Sequence, residues 1–192
     1  MEAQVVDSHP GATLLNKKHL QALQDIYKFS GIRRYHGMLP EKHALLYDPG
    51  LLDYLEENSL IEEGTVIARC GSQLRGYRLT DTARRDLRKM GLDLTEEGQI
   101  EEIPTDQDFG ELTKEQINII RDIYHFIQIK KFNGIAPKHE VEEYDKRDMK
   151  ILYDLGYILY IKLKGKAVRY TKGYILTDQA IRLLRAQGHI LT

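Results

Sequence analysis

The chain matches itself when displaced by 97 positions, and this self-similarity constrains the fold more than any other feature. The match runs without a gap from about Leu15–Gly91 onto Leu112–Gly188. Asp25-Ile26-Tyr27 falls on Asp122-Ile123-Tyr124, and Ile32-Arg33-Arg34-Tyr35 falls on Ile129-Lys130-Lys131-Phe132. Gly37 and Pro40 meet Gly134 and Pro137, and Tyr47-Asp48 meets Tyr144-Asp145. The densest block, Gly76-Tyr77-Arg78-Leu79-Thr80-Asp81, lies on Gly173-Tyr174-Ile175-Leu176-Thr177-Asp178. A register that holds through loops as well as apolar positions marks a repeated supersecondary unit. The expected organisation is an N-terminal arm (1–14), a first domain (15–91), an acidic linker (92–111) and a second domain (112–192).

Each copy predicts the same order of elements. Leu20, Leu23, Ile26 and Tyr27 recur at helical spacing, which predicts a helix over Lys17–Phe29; Ile117, Ile120, Ile123 and Tyr124 are its counterpart. The glycine–proline segments end that helix, and proline suits the first turn of a short second one. A third helix is expected over Asp48–Asn58 and Asp145–Leu155. A β-hairpin follows, with first strands near Leu60–Cys70 and Tyr157–Lys164 and second strands ending at Leu79 and Leu176. Thr80 and Thr177 are N-caps for a last helix, which Gly91 and Gly188 close. The predicted class is α+β, mainly α: three helices, a hairpin and a helix, twice, from an internal duplication.

That order resembles the winged helix, a helix-turn-helix variant whose hairpin is the wing. Tyr77-Arg78-Leu79-Thr80 and Tyr174-Ile175-Leu176-Thr177 are similar to the aromatic-x-Leu-Thr segment that closes the wing in MarR- and PadR-type regulators. Those families place glycine three residues after the threonine, where this chain has Ala83 and Ala180. The resemblance implies a tandem winged-helix protein that binds double-stranded DNA and regulates transcription, with the third helix in the major groove.

Charge separates the copies. Residues 1–91 hold 13 Lys/Arg against 12 Asp/Glu, residues 92–111 hold eight acids and no base, and residues 112–192 hold 15 bases against nine acids. The third helix of the second copy offers Lys146, Arg147 and Lys150 beside Tyr153, and its wing carries Lys162, Lys164, Lys166, Arg169 and Lys172. No acid lies between Gly156 and Thr177. Such a surface suits a phosphate backbone, because each neutralised phosphate releases counterions; a solvated hairpin protected from edge pairing is the other reading. The matching helix positions in the first copy are Pro49, Gly50, Asp53 and Glu56. That copy is expected to meet a protein partner, or a second copy of the chain, which leaves an interaction scaffold without DNA binding as the alternative function. The doublets Arg33-Arg34 and Lys130-Lys131 hold phosphates or cap the preceding helix. The linker reads as a solvated spacer or as a strap that competes with nucleic acid for the second copy.

Other function classes find little support. There is no nucleotide-binding glycine fingerprint, phosphate loop or nucleophile elbow, so no enzyme is expected. The seven histidines are scattered, and no metal or cofactor is expected. The single cysteine, Cys70, excludes an internal disulfide and fits a reducing, cytoplasmic setting. No apolar run is long enough to cross a bilayer, so no membrane partner is expected.

Overall fold

In the computed structural model, Asn16 stops the chain from entering α1 (Lys17–Ser30) ragged. Its side-chain oxygen accepts from the backbone N–H groups of Lys18 and His19 at 2.9 and 3.0 Å, and the His19 ring accepts back from Asn16 N–H at 3.3 Å. Two orphan donors are satisfied reciprocally. The structure describes residues 4–6, 13–67, 72–91, 111–163 and 172–189. The chain divides into two compact units, Met1–Gln99 and Ile100–Thr192.

In the first unit α1 gives way to a short 3-10 helix, Arg33–Tyr35, then β3 (Leu39–Pro40), α2 (Glu41–Ala44), α3 (Pro49–Glu57), β4 (Ile61–Ile67), β5 (Gln73–Leu79) and α4 (Asp81–Lys89). Two strands precede α1: β1 (Gln4–Val6) pairs antiparallel with β2 (Thr13–Leu15), where only an arm was expected. The second unit runs α5 (Lys114–Gln128), a 3-10 helix at Lys130–Phe132, β6 (Ala136–Pro137), α6 (Lys138–Val141), α7 (Lys146–Asp154), β7 (Ile158–Lys162), β8 (Lys172–Leu176) and α8 (Asp178–Ala186). The class is α+β, with eight α-helices and two three-stranded antiparallel sheets among the described residues, ordered β3-β5-β4 and β6-β8-β7.

The third strand of each sheet corrects the expected two-stranded hairpin. β3 meets β5 at Leu39↔Tyr77 and Pro40↔Gly76, and β6 meets β8 at Ala136↔Tyr174 and Pro137↔Gly173. The repeated glycines make this approach possible. A Cβ on Gly76 would lie 2.1 Å from the Leu39 carbonyl oxygen, and one on Gly173 would lie 2.2 Å from that of Ala136. Strand lengths are corrected too: β4 and β7 start one residue later than expected, and β7 ends at Lys162. The expected strand residues 68–70 and Lys164 lie outside the described residues, as do Cys70, linker positions 92–110 and the cations Lys164, Lys166 and Arg169.

Both cores form around the first helix of the unit. Leu23, Ile26 and Phe29 of α1 are buried with Leu52, Leu55, Ile61, Leu79 and Leu87; Ile117, Ile120, Ile123 and Phe126 of α5 are buried with Leu152, Ile158 and Leu184. Each such side chain contributes roughly 1.5–3 kcal/mol on leaving water. A carboxylate sits within each core. Asp25 accepts from the Tyr47 hydroxyl at 2.9 Å, and Asp122 accepts from that of Tyr144 at 2.6 Å. Buried polar groups persist when paired this way, and each bond ties the residue ahead of α3 or α7 to the central helix. Thr80 and Thr177 do more than cap. Their hydroxyls accept from Ala83 and Ala180 N–H and donate to the carbonyls of Ser59 and Gly156, at 2.8 and 2.7 Å. Ala83 and Ala180 are buried, so the alanines occupy packed first turns.

Candidate nucleic-acid interface

Three same-face pairs build the outward part of the second unit's sheet. Side chains two apart on a strand share a face, and β7 and β8 are in register at Ile158↔Leu176, Tyr160↔Tyr174 and Lys162↔Lys172. From core to tip this face reads apolar, aromatic, cationic. Ile158 is buried, both tyrosines are half-buried and both lysines are exposed. The tyrosine rings meet edge to face, 5.2 Å apart at 62°. Lys162 and Lys172 are like charges placed directly opposite, an arrangement that costs stability. Among the described residues neither lysine has a carboxylate partner. An anion bound between them would relieve that cost.

α7 flanks the same face. Asp145 caps it by accepting from Arg147 and Asp148 N–H, and Gln116 of α5 donates to Asp148 at 2.8 Å. Leu152 points into the core and Met149 is half-buried, which leaves Lys146, Arg147, Lys150 and Tyr153 exposed, Tyr153 at 52%. Lys146, Met149, Lys150 and Tyr153 join Tyr160 and Tyr174 around a groove of about 520 Å³, with Val141, Glu142 and Tyr144 completing its lining. Of the expected cations, the structure brings Lys146 and Lys150 to this groove and sets Lys162 and Lys172 on the tyrosine face of the hairpin. Arg147 is exposed on α7 outside the lining. Lys150 is paired with Asp154, one turn on, and Lys138 with Glu142 at 3.1 Å. All four partners are well exposed, and such pairs are worth only about 0–1 kcal/mol, so they yield readily to a phosphate.

Local electrostatics differ between the units. Burial holds the Tyr174 hydroxyl above its ordinary range, with Tyr160 and Glu142 adding to the effect. In the first unit burial likewise raises Tyr77, and there Glu63, Glu56 and Asp53 add to it. Those carboxylates occupy the positions that match Tyr160, Tyr153 and Lys150. The first unit's ladder reads Ile61↔Leu79, Glu63↔Tyr77 and Thr65↔Arg75. Its groove of about 320 Å³ is lined in part by Glu41, Glu63, Arg75 and Tyr77.

The basic doublets belong to the 3-10 helices, not to the groove. α1 has already ended when Arg33 and Arg34 are reached: Gly31 N–H donates to Lys28 and Phe29 carbonyls. The cation within the last turn of α1 is Lys28, and the Arg33-Arg34 doublet follows the helix end. Arg33 is exposed, whereas Arg34 is half-buried, donates to the Tyr35 hydroxyl at 3.0 Å and stacks 4.9 Å from its ring. Lys130 and Lys131 are both exposed. Of the linker, Glu111 is described, and it accepts from the Tyr157 hydroxyl at 3.0 Å.

Comparison with known protein families, with curated proteins and with solved structures finds no match. Function therefore rests on the site itself. Among the described residues no three His, Cys, Asp or Glu side chains come together to hold a metal ion, and no helix is long and apolar enough to cross a membrane. Sequence reasoning missed Lys138, and it noted Tyr160 and Tyr174 without pairing them. The strand period of two, carried from Ile158 through Lys162, was the available signal.

Proposed function

We propose that the chain is a tandem winged-helix protein, arisen by internal duplication, that binds double-stranded DNA through its second domain and regulates transcription. In this reading the domains are 15–91 and 112–192, α7 is the recognition helix and β7–β8 is the wing. Lys146, Arg147 and Lys150 approach the groove, and Lys162 and Lys172 grip phosphates. The observation that supports the reading is the cross-strand pair Lys162↔Lys172, which has no carboxylate partner among the described residues and shares its strand face with the tyrosines that line the groove beside Lys146 and Lys150. The protein acts by binding and carries out no catalysis.

The test is duplex affinity measured by fluorescence anisotropy from low to moderate salt. Replacing Lys146, Lys162 and Lys172 together with alanine should flatten the logarithmic salt slope by about 2 to 3, since each phosphate contact contributes roughly 0.9. Failure of the parent protein to bind duplex at 50 mM salt would overturn the reading. A second role is favoured by the carboxylates around Tyr77: the first domain meets a protein, as in an interaction scaffold, because that face repels phosphate.

A further inference from the structure

We infer that the groove of the second unit holds an unpaired nucleotide of a single strand, with its ring against the tyrosines and its phosphate among the lysines. The inference rests on the nucleic-acid reading above and goes beyond it. Duplex backbone binding needs cations and has no use for four tyrosines in one cavity, of which Tyr144 is committed to Asp122. Tyr160 and Tyr174 form its hairpin wall and Tyr153 stands exposed on α7. In the edge-to-face pair, the ring that presents its edge keeps both of its own faces clear of its neighbour. A base in a duplex has both faces stacked, so only an unpaired base can offer a ring here. Stacking on aromatic side chains within a cationic channel is the general chemistry of single-strand binding.

The cavity, about 520 Å³, lies within the range of small-ligand sites, commonly about 300–1,000 Å³. Its cations point to a ring that carries an anionic group over a wholly apolar ligand. A wholly apolar occupant would cover Lys146 and return no partner to its ammonium group, which is costly. A phosphate replaces the exposed carboxylates of Glu142 and Asp154 without that cost. The first unit lacks the device, because Glu56 and Glu63 stand where Tyr153 and Tyr160 do. Among the described residues there is one such site.

The experiment compares an oligothymidylate, a duplex of equal length and thymidine monophosphate as ligands of the full chain. The protein has twelve tyrosines and no tryptophan, so quenching of its intrinsic emission reports stacking directly. The parent protein should bind the oligothymidylate with saturable quenching. Tyr153→Ala should weaken that binding about tenfold and leave duplex affinity within about twofold, while Tyr153→Phe keeps the ring and keeps the affinity. Duplex binding without quenching by the single strand, or single-strand affinity unmoved by Tyr153→Ala, would sink the inference and leave the duplex reading standing. Equal weakening of both ligands by Tyr153→Ala would also reject it, as would mononucleotide binding as tight as that of the strand. Absence of binding to any nucleic acid would remove the inference together with the reading beneath it. Tyr153→Phe, carried through the same measurements, shows whether a loss in Tyr153→Ala follows from the missing ring or from poor folding.

Discussion

The grooves of the two units are alike at their base and opposed at their rim. The innermost cross-strand pair is Ile61–Leu79 in one and Ile158–Leu176 in the other. One step outward Glu63 faces Tyr77, while Tyr160 faces Tyr174; beside them α3 brings Asp53 and Glu56, where α7 brings Lys150 and Tyr153. At these rim positions every residue that differs in chemistry is exposed or half-buried, whereas the buried frame keeps its apolar positions and changes at few, such as His43 where the second unit has Glu140. Inward positions are held by packing, where a change of one methylene is felt. Outward positions answer only to the partner.

The sharpest way to break this comparison is at the crossing strands. Gly76→Ala and Gly173→Ala each force a methyl group against a backbone carbonyl that cannot swing aside. Each should cost about 3 kcal/mol, at the upper end for overpacking, and urea denaturation would measure it. Comparable losses from the two substitutions support one frame used twice; a loss from only one would show that the sheets are held differently.

The rims can be tested by exchange. Asp53→Lys with Glu63→Tyr gives the first unit the rim residues of the second and should strengthen duplex binding about tenfold at low salt, with a steeper salt slope. Unchanged anisotropy would mean that the first unit's face never meets the nucleic acid.

The smallest expected effect is on acid stability and belongs to the second unit. Burial, helped by the Arg121 guanidinium, lowers the His189 pKa from 6.5 to about 4. The unfolded chain takes up this proton as pH falls through 6.5, and the folded chain does so only near 4. The stabilisation is therefore complete above pH 6.5 and declines as pH falls towards 4. After allowance for partial solvent access it amounts to about 1 kcal/mol. His189→Gln should flatten that part of the stability–pH curve, and thermal unfolding at several pH values would check it. The residue 97 positions earlier, Leu92, falls in the linker beyond the matched segment and does not titrate.

Helices and caps were legible in the sequence because their determinants are local. Asp48, Thr80, Asp145 and Thr177 each bond a backbone N–H within three residues. β3 and β6 were not legible. They are two residues long, contain proline and show no period, and they pair because a glycine far along the chain admits them. The repeat exposed Asp25 and Asp122 as matched positions, but their burial depends on tyrosines 22 residues away. The Lys150–Asp154 pair was readable from its spacing of four, and it tempers the cationic face expected of α7. The tyrosine groove is legible only once helix and hairpin are folded together, since neither element encloses it alone.

The hydroxyls of Tyr47 and Tyr144 are committed to carboxylates inside the protein. Each bond anchors the segment entering an outward helix to the most sheltered helix of its unit. That arrangement grants latitude: the exterior can be rewritten from acidic to basic without renegotiating how the helix is seated. Two neighbouring modules can thereby acquire opposite tastes in partners while remaining mechanically interchangeable.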